Sequence, residues 1–78
     1  MTQSINRLFP GQSARIQTLN GKDTARLRDL GFVEDGLVTC LFSSAFGDPV
    51  AYRVKDTVVA LRGRDAEGIA CVPVGGDA

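Results

Sequence analysis

Two carboxylates, two thiols and a few arginines are the groups in this chain that could do chemistry. Asp48 and Glu67 could serve as a paired general acid and base, a task that needs two carboxyls held close with their pKa values pushed apart. One sits in a turn and the other in a short helical stretch, where carboxylates are ordinarily solvated, so they are read as surface charge. Cys40 and Cys71 lie in the apolar runs VTCLF and IACVPV, where a thiol packs as a small hydrophobe, and both are expected to be buried free thiols rather than a bridge or a metal pair. The chain has no histidine, which removes the usual nitrogen ligand for zinc or ferrous iron, and no CxxC or HxxxH spacing replaces it. Neither GxxxxGK[ST] nor GxGxxG occurs, so no backbone cradle for phosphate is expected. No catalytic residue, metal ligand or cofactor is assigned, and the chain reads as a binding protein rather than an enzyme.

The arginines remain. Arg26 and Arg28 flank Leu27 and Leu30 in RLRDL, a pattern of cations beside an apolar stripe that suits the rim of a binding surface. The bland alternative is that both only lie along the helix with their heads in water. Arg62, at the end of VALRG, could clamp a partner carboxylate or bond the carbonyls that close the sheet. Nine Lys and Arg balance nine Asp and Glu, for a formal net charge of zero. No cationic excess is available to displace counterions from a phosphate backbone, which argues against nucleic acid as a partner.

These groups must be positioned by very little structure. Seventy-eight residues make one domain, 1–78, with a single small core. No apolar run is long enough for a signal peptide or a membrane span, so a soluble, cytoplasmic chain is expected, monomeric or weakly oligomeric. SARIQTL, 13–19, alternates Ala14 and Ile16 against Arg15 and Gln17 and predicts a half-buried strand. NGKDTARLRDLGF then changes period and predicts an amphipathic helix of about eight to ten residues stopped by Gly31. LVTCLFSSA, 37–45, is apolar on both parities, and its inner face stays open.

Gly47, Asp48 and Pro49 form a corner: a residue free to take positive φ, a side chain able to bond back to the backbone, and a ring that fixes φ. Its predicted role is structural. VAYRV and TVVALR follow as a hairpin closed by Lys55-Asp56, with Asp56 tolerating positive φ. That loop sets Val54 opposite Thr57, Tyr52 opposite Val59 and Val50 opposite Leu61. GRDAEG predicts a helical turn and IACVPV a last strand, which Pro73 places at an edge or ends. Residues 1–3 and 75–78 are expected to fray. The sum is a mainly β fold: about five strands in a small, strongly bent barrel, one helix after the first strand and one short helical turn before the last.

Taken in order, GQSARI, RLRDLGF with EDG behind it, FGDPVAYRV and VVALRGRDAEGI resemble the FeoA family over about residues 8–74. The resemblance implies an SH3-like barrel and a cytoplasmic accessory role in ferrous iron transport. The implied partner is the membrane ferrous iron permease, which carries a GTP-binding domain. Two other functions compete. One is the FeoA-like C-terminal module of an iron-dependent repressor, for which no winged-helix segment is present here. The other is an SH3-like adaptor for proline-rich peptides, for which four Phe, one Tyr and no Trp make a poor aromatic groove. For a permease partner, the expected contact is the helix bearing Arg26, Leu27, Arg28 and Leu30, with the hairpin around Arg53 and Lys55 as the substitute.

Overall fold

The computed structural model describes residues 2–43 and 47–74. Six strands form one antiparallel sheet: β1 (Gln3–Ser4), β2 (Ser13–Leu19), β3 (Leu37–Ser43), β4 (Val50–Val54), β5 (Thr57–Leu61) and β6 (Ile69–Val74). A 3-10 turn (Ile5–Arg7) follows β1, helix α1 (Thr24–Leu30) lies between β2 and β3, and the single turn α2 (Gly63–Ala66) precedes β6. The strand order is β1-β6-β2-β3-β4-β5.

This order corrects the expected five-stranded barrel in two ways. Gln3 and Ser4 form a sixth strand by pairing with Cys71 and Ala70, a strand too short to carry any sequence period. Among the described residues no ladder joins β1 to β5, so hydrogen bonds do not close the sheet. A side-chain bond ties β4 to the turn after β1: the Tyr52 hydroxyl donates to the Ile5 carbonyl at 3.3 Å. Residues 1 and 75–78 lie outside the described residues. Pro73 sits opposite Ala14 of β2, and on its other side the two-residue β1 stops short of it, so its missing donor costs no ladder bond.

The 13–19 strand and the 50–54/57–61 hairpin form as the alternation predicts, including Val54↔Thr57, Tyr52↔Val59 and Val50↔Leu61. Positive φ in the hairpin loop falls on Lys55 (φ 54) and not on Asp56. The ambiguity of 37–45 has a physical cause. The register of β3 against β4 slips between Cys40↔Tyr52 and Phe42↔Ala51, so Leu41 is the extra residue of a bulge and reverses the parity. Val38 and Cys40 point inward, while Phe42 ends up 62% exposed. Residues 44 and 45, which the predicted strand also included, lie outside the described set.

The core holds Ile5, Leu8, Ala14, Ile16, Leu19, Leu27, Phe32, Val38, Tyr52, Val54, Leu61, Ala66 and Ile69 together with both thiols. Phe32 and Tyr52 meet edge to face, centroids 6.3 Å apart at 83°, the geometry that their ring quadrupoles favour. Cys40 and Cys71 are buried and free, and burial pushes both thiols above their ordinary pKa.

Candidate functional site

Helix α1 is seven residues long, shorter than the eight to ten predicted. Gly31, at φ 116, stops it. Its N–H donates to the Arg28 carbonyl and the Phe32 N–H to the Leu27 carbonyl, both at 3.0 Å; these are the two bonds of a left-handed helix stop. Lys22 lies in the turn before the helix. Leu27 is 3% exposed and packs in the core, whereas Leu30 is half-buried at the edge of the cluster.

Arg26 and Arg28 are both exposed, and both engage carboxylates of their own chain. Arg26 Nη2 donates to Asp65 Oδ2 of α2 at 3.3 Å and lies 3.9 Å from Asp23 Oδ2, so it ties the two helices together. Arg28 grips Glu34 through both terminal nitrogens, Nη2 to Oε2 at 2.9 Å. Those hydrogen bonds, reinforced by opposite charge, lower the Glu34 pKa and raise that of Arg28. The two pairs leave each arginine about half exposed, with side-chain exposures of 50% and 45%.

Between α1 and α2 lies an open depression of about 230 Å³ lined by Asn20, Gly21, Lys22, Asp23, Leu27, Arg64 and Asp65. Among the described residues neither Lys22 nor Arg64 makes an ion pair. At this depression the cations open to an outside carboxylate or carbonyl are therefore these two, which sequence reasoning missed. They are 42 positions apart in sequence, and only the packing of α2 beside the turn before α1 joins them.

The corner at 47–49 is bonded to the first residue of α2. Gly47 takes φ 83 and the Asp48–Pro49 bond is cis. Asp48 Oδ1 accepts from the Gly63 N–H at 2.6 Å, capping the first turn of α2 from another element. Arg62, the residue before α2, uses its own carbonyl to accept from the Asp65 and Ala66 N–H groups. Its guanidinium lies 4.0 Å from Asp48 Oδ2, so it faces this corner. Asp48 is thus engaged at the start of α2, and Glu67 is exposed just after it. No three His, Cys, Asp or Glu groups cluster among the described residues in a way that could hold a metal ion.

A family model described as the FeoA domain matches residues 3–73. The chain belongs to the FeoA family. The solution structure of iron(II) transport protein A from Clostridium thermocellum is 32% identical and superimposes with a TM-score of 0.88, covering 95% of this chain and 47% of that one. This chain thus spans about half the length of that relative. FeoA of Stenotrophomonas maltophilia, solved as a complex with zinc and described as a prokaryotic SH3 domain protein, is 29% identical at a TM-score of 0.74, with 88% of each chain covered. A manganese-dependent transcriptional repressor matches at 17% identity and a TM-score of 0.78, covering 94% of this chain and 42% of the repressor, a likeness of fold alone. No curated protein matches. Among the described residues of this FeoA-family chain, no helix is long and apolar enough to cross a membrane.

Proposed function

We propose that the chain is a cytoplasmic accessory protein of ferrous iron transport that binds and regulates the membrane iron permease bearing a GTP-binding domain. The observation that carries this reading is membership of the FeoA family over residues 3–73. The contact is the α1 face with the depression beside it. Leu30 supplies the partly exposed apolar part, Arg26 and Arg28 the edges, and Lys22 and Arg64 the cations without an ion pair of their own. Leu27 supports this face from beneath, inside the core. An acidic or carbonyl-rich strip on the permease fits such a surface.

Reversing Arg26 and Arg28 would set like charges against Asp65 and Glu34 and confuse folding with docking, so the test begins with Lys22→Glu/Arg64→Glu. The pair should fold like wild type by circular dichroism. It should lose co-purification with the permease from detergent-solubilised membranes and lower ferrous iron uptake in cells lacking their own copy. Arg26→Gln/Arg28→Gln, which is neutral toward Asp65 and Glu34, should weaken both readouts to a lesser degree. Normal co-purification and uptake by both folded variants would move the contact to the hairpin around Arg53 and Lys55. Retention of a DNA-binding protein in place of a permease would favour the repressor-like reading.

A further inference from the structure

The two borders of the sheet are built differently. β1 is two residues long and runs at once into the 3-10 turn, the usual way to blunt an edge. β5 presents five residues, Thr57–Leu61, with Val58 56% exposed and Ala60 exposed. No proline or charged residue lies within it to deter a further strand. In a two-residue hairpin the residues flanking the loop exchange both their hydrogen bonds, and the pairs then alternate. Val54↔Thr57 therefore sets the phase. Thr57, Val59 and Leu61 bond to β4, and the N–H and C=O groups of Val58 and Ala60 point away from the sheet.

This edge is complementary to itself. Laid antiparallel on a second copy with Val59 opposite Val59, Val58 meets Ala60 and Thr57 meets Leu61. The outward groups of both strands then stand in phase. The same register brings Asp56 of each copy opposite Arg62 of the other. Asp56 is exposed and makes no ion pair among the described residues, and Arg62, whose guanidinium lies 4.0 Å from Asp48 Oδ2, keeps 64% of its side chain exposed. A slip of one residue sets outward groups against inward ones. A slip of two keeps the bonds in phase but separates Asp56 from Arg62.

We propose that β5 pairs with β5 of a second copy about a two-fold axis at Val59, extending the six-stranded sheet across a dimer. In it, the Val58 N–H donates to the Ala60 carbonyl of the second copy and the Ala60 N–H to its Val58 carbonyl, each repeated by symmetry. Asp56 and Arg62 close the strand pair at both ends and select this register. A strand from an unrelated protein would satisfy the backbone groups but would not bring this reciprocal pair of charges.

Sedimentation equilibrium from about 10 μM to 1 mM spans the range in which so small an interface operates. Wild type should self-associate. Asp56→Lys and Arg62→Glu, each placing like charges at both ends, should each raise the dimer dissociation constant on the order of tenfold. Mixing the two variants should restore wild-type affinity, because the heterodimer pairs Lys with Glu at one end and Arg with Asp at the other. Amide exchange supplies a readout on unmodified protein: Val58 and Ala60 should be protected at high concentration and exchange freely on dilution. A wild type that stays monomeric at about 1 mM, with exchange at Val58 and Ala60 independent of concentration, overturns the proposal. So does a dimer indifferent to both reversals, or protection of these amides that appears only when another protein is added.

Discussion

Asp48→Ala tests whether the 47–49 corner is a fastener. The Asp48 carboxylate accepts from the Gly63 N–H at 2.6 Å, a charge-assisted bond to the first residue of α2 that does the work of an N-cap from a distant element. Hydrogen bonds to charged groups contribute about 1.5–3 kcal/mol and helix caps about 0.5–2. The Asp48 side chain is 45% exposed and water can reach the N–H that would be left behind, so the lower part of that range applies, about 1–1.5 kcal/mol. In a domain of this length each kcal/mol moves the melting temperature by about 4–8 °C, which gives a fall of roughly 5–10 °C. Asp48→Asn keeps an acceptor oxygen and loses the charge, and should fall by less than half as much. Asp29→Ala, on the exposed side of α1, should shift the melt by no more than a surface substitution ordinarily does. Thermal unfolding of dilute protein by circular dichroism, with urea midpoints at constant slope, measures all three. An Asp48→Ala melt within about 1 °C of wild type would refute the fastening argument.

Two further outcomes follow from the core. Gly31→Ala places a side chain at φ 116, with its Cβ 3.2 Å from Val54 Cγ2. It should cost about 2 kcal/mol in a urea titration, from left-handed strain and overpacking together; a loss under about 0.5 kcal/mol would show that the helix stop relaxes freely. For the thiols, burial raises the folded pKa of Cys40 and Cys71, so the folded state keeps protons that the unfolded chain releases above about pH 8.5. Their stabilisation is complete below that pH and is lost as pH rises toward the folded values, with Tyr52, also raised by burial, adding to the loss at still higher pH. The urea midpoint should therefore fall between about pH 8.5 and 10, with a shallower slope in Cys40→Ala/Cys71→Ala. A wild-type midpoint flat over that span would contradict it.

How much of this was legible in the sequence depends on whether the signal was local. The 50–61 hairpin was readable to the register because alternation and a two-residue loop fix each other. The 37–43 strand was recognised without its inner face, since the bulge at Leu41 leaves no mark beyond apolar residues on both parities. β1 was missed because two residues carry no period, and its existence depends on β6 arriving beside it. Around the candidate site, the helix with Leu27 buried and Arg26 and Arg28 exposed was legible from the wheel. The carboxylates that occupy those arginines, Asp65 and Glu34, were not, and neither was the meeting of Lys22 with Arg64. Each of these depends on where α2 and the turn after α1 come to rest, which spacing along the chain does not encode.

The position of β6 has a consequence for a chain emerging from the ribosome. The last strand is inserted between the first two, with β1 on one side and β2 on the other. The β3-β4-β5 meander can assemble from neighbours in sequence, but until Val74 has been made β2 lacks β6 on one side and β1 lacks the strand it pairs with among the described residues. At about 5–20 residues per second, that leaves the exposed side of β2 waiting roughly 3–11 s after Leu19 is synthesised. During that interval Ala14, Ile16 and Leu19 have no β6 beside them, and the nascent chain is most open to pairing with the wrong strand. Folding of this domain is therefore completed from its end rather than its beginning.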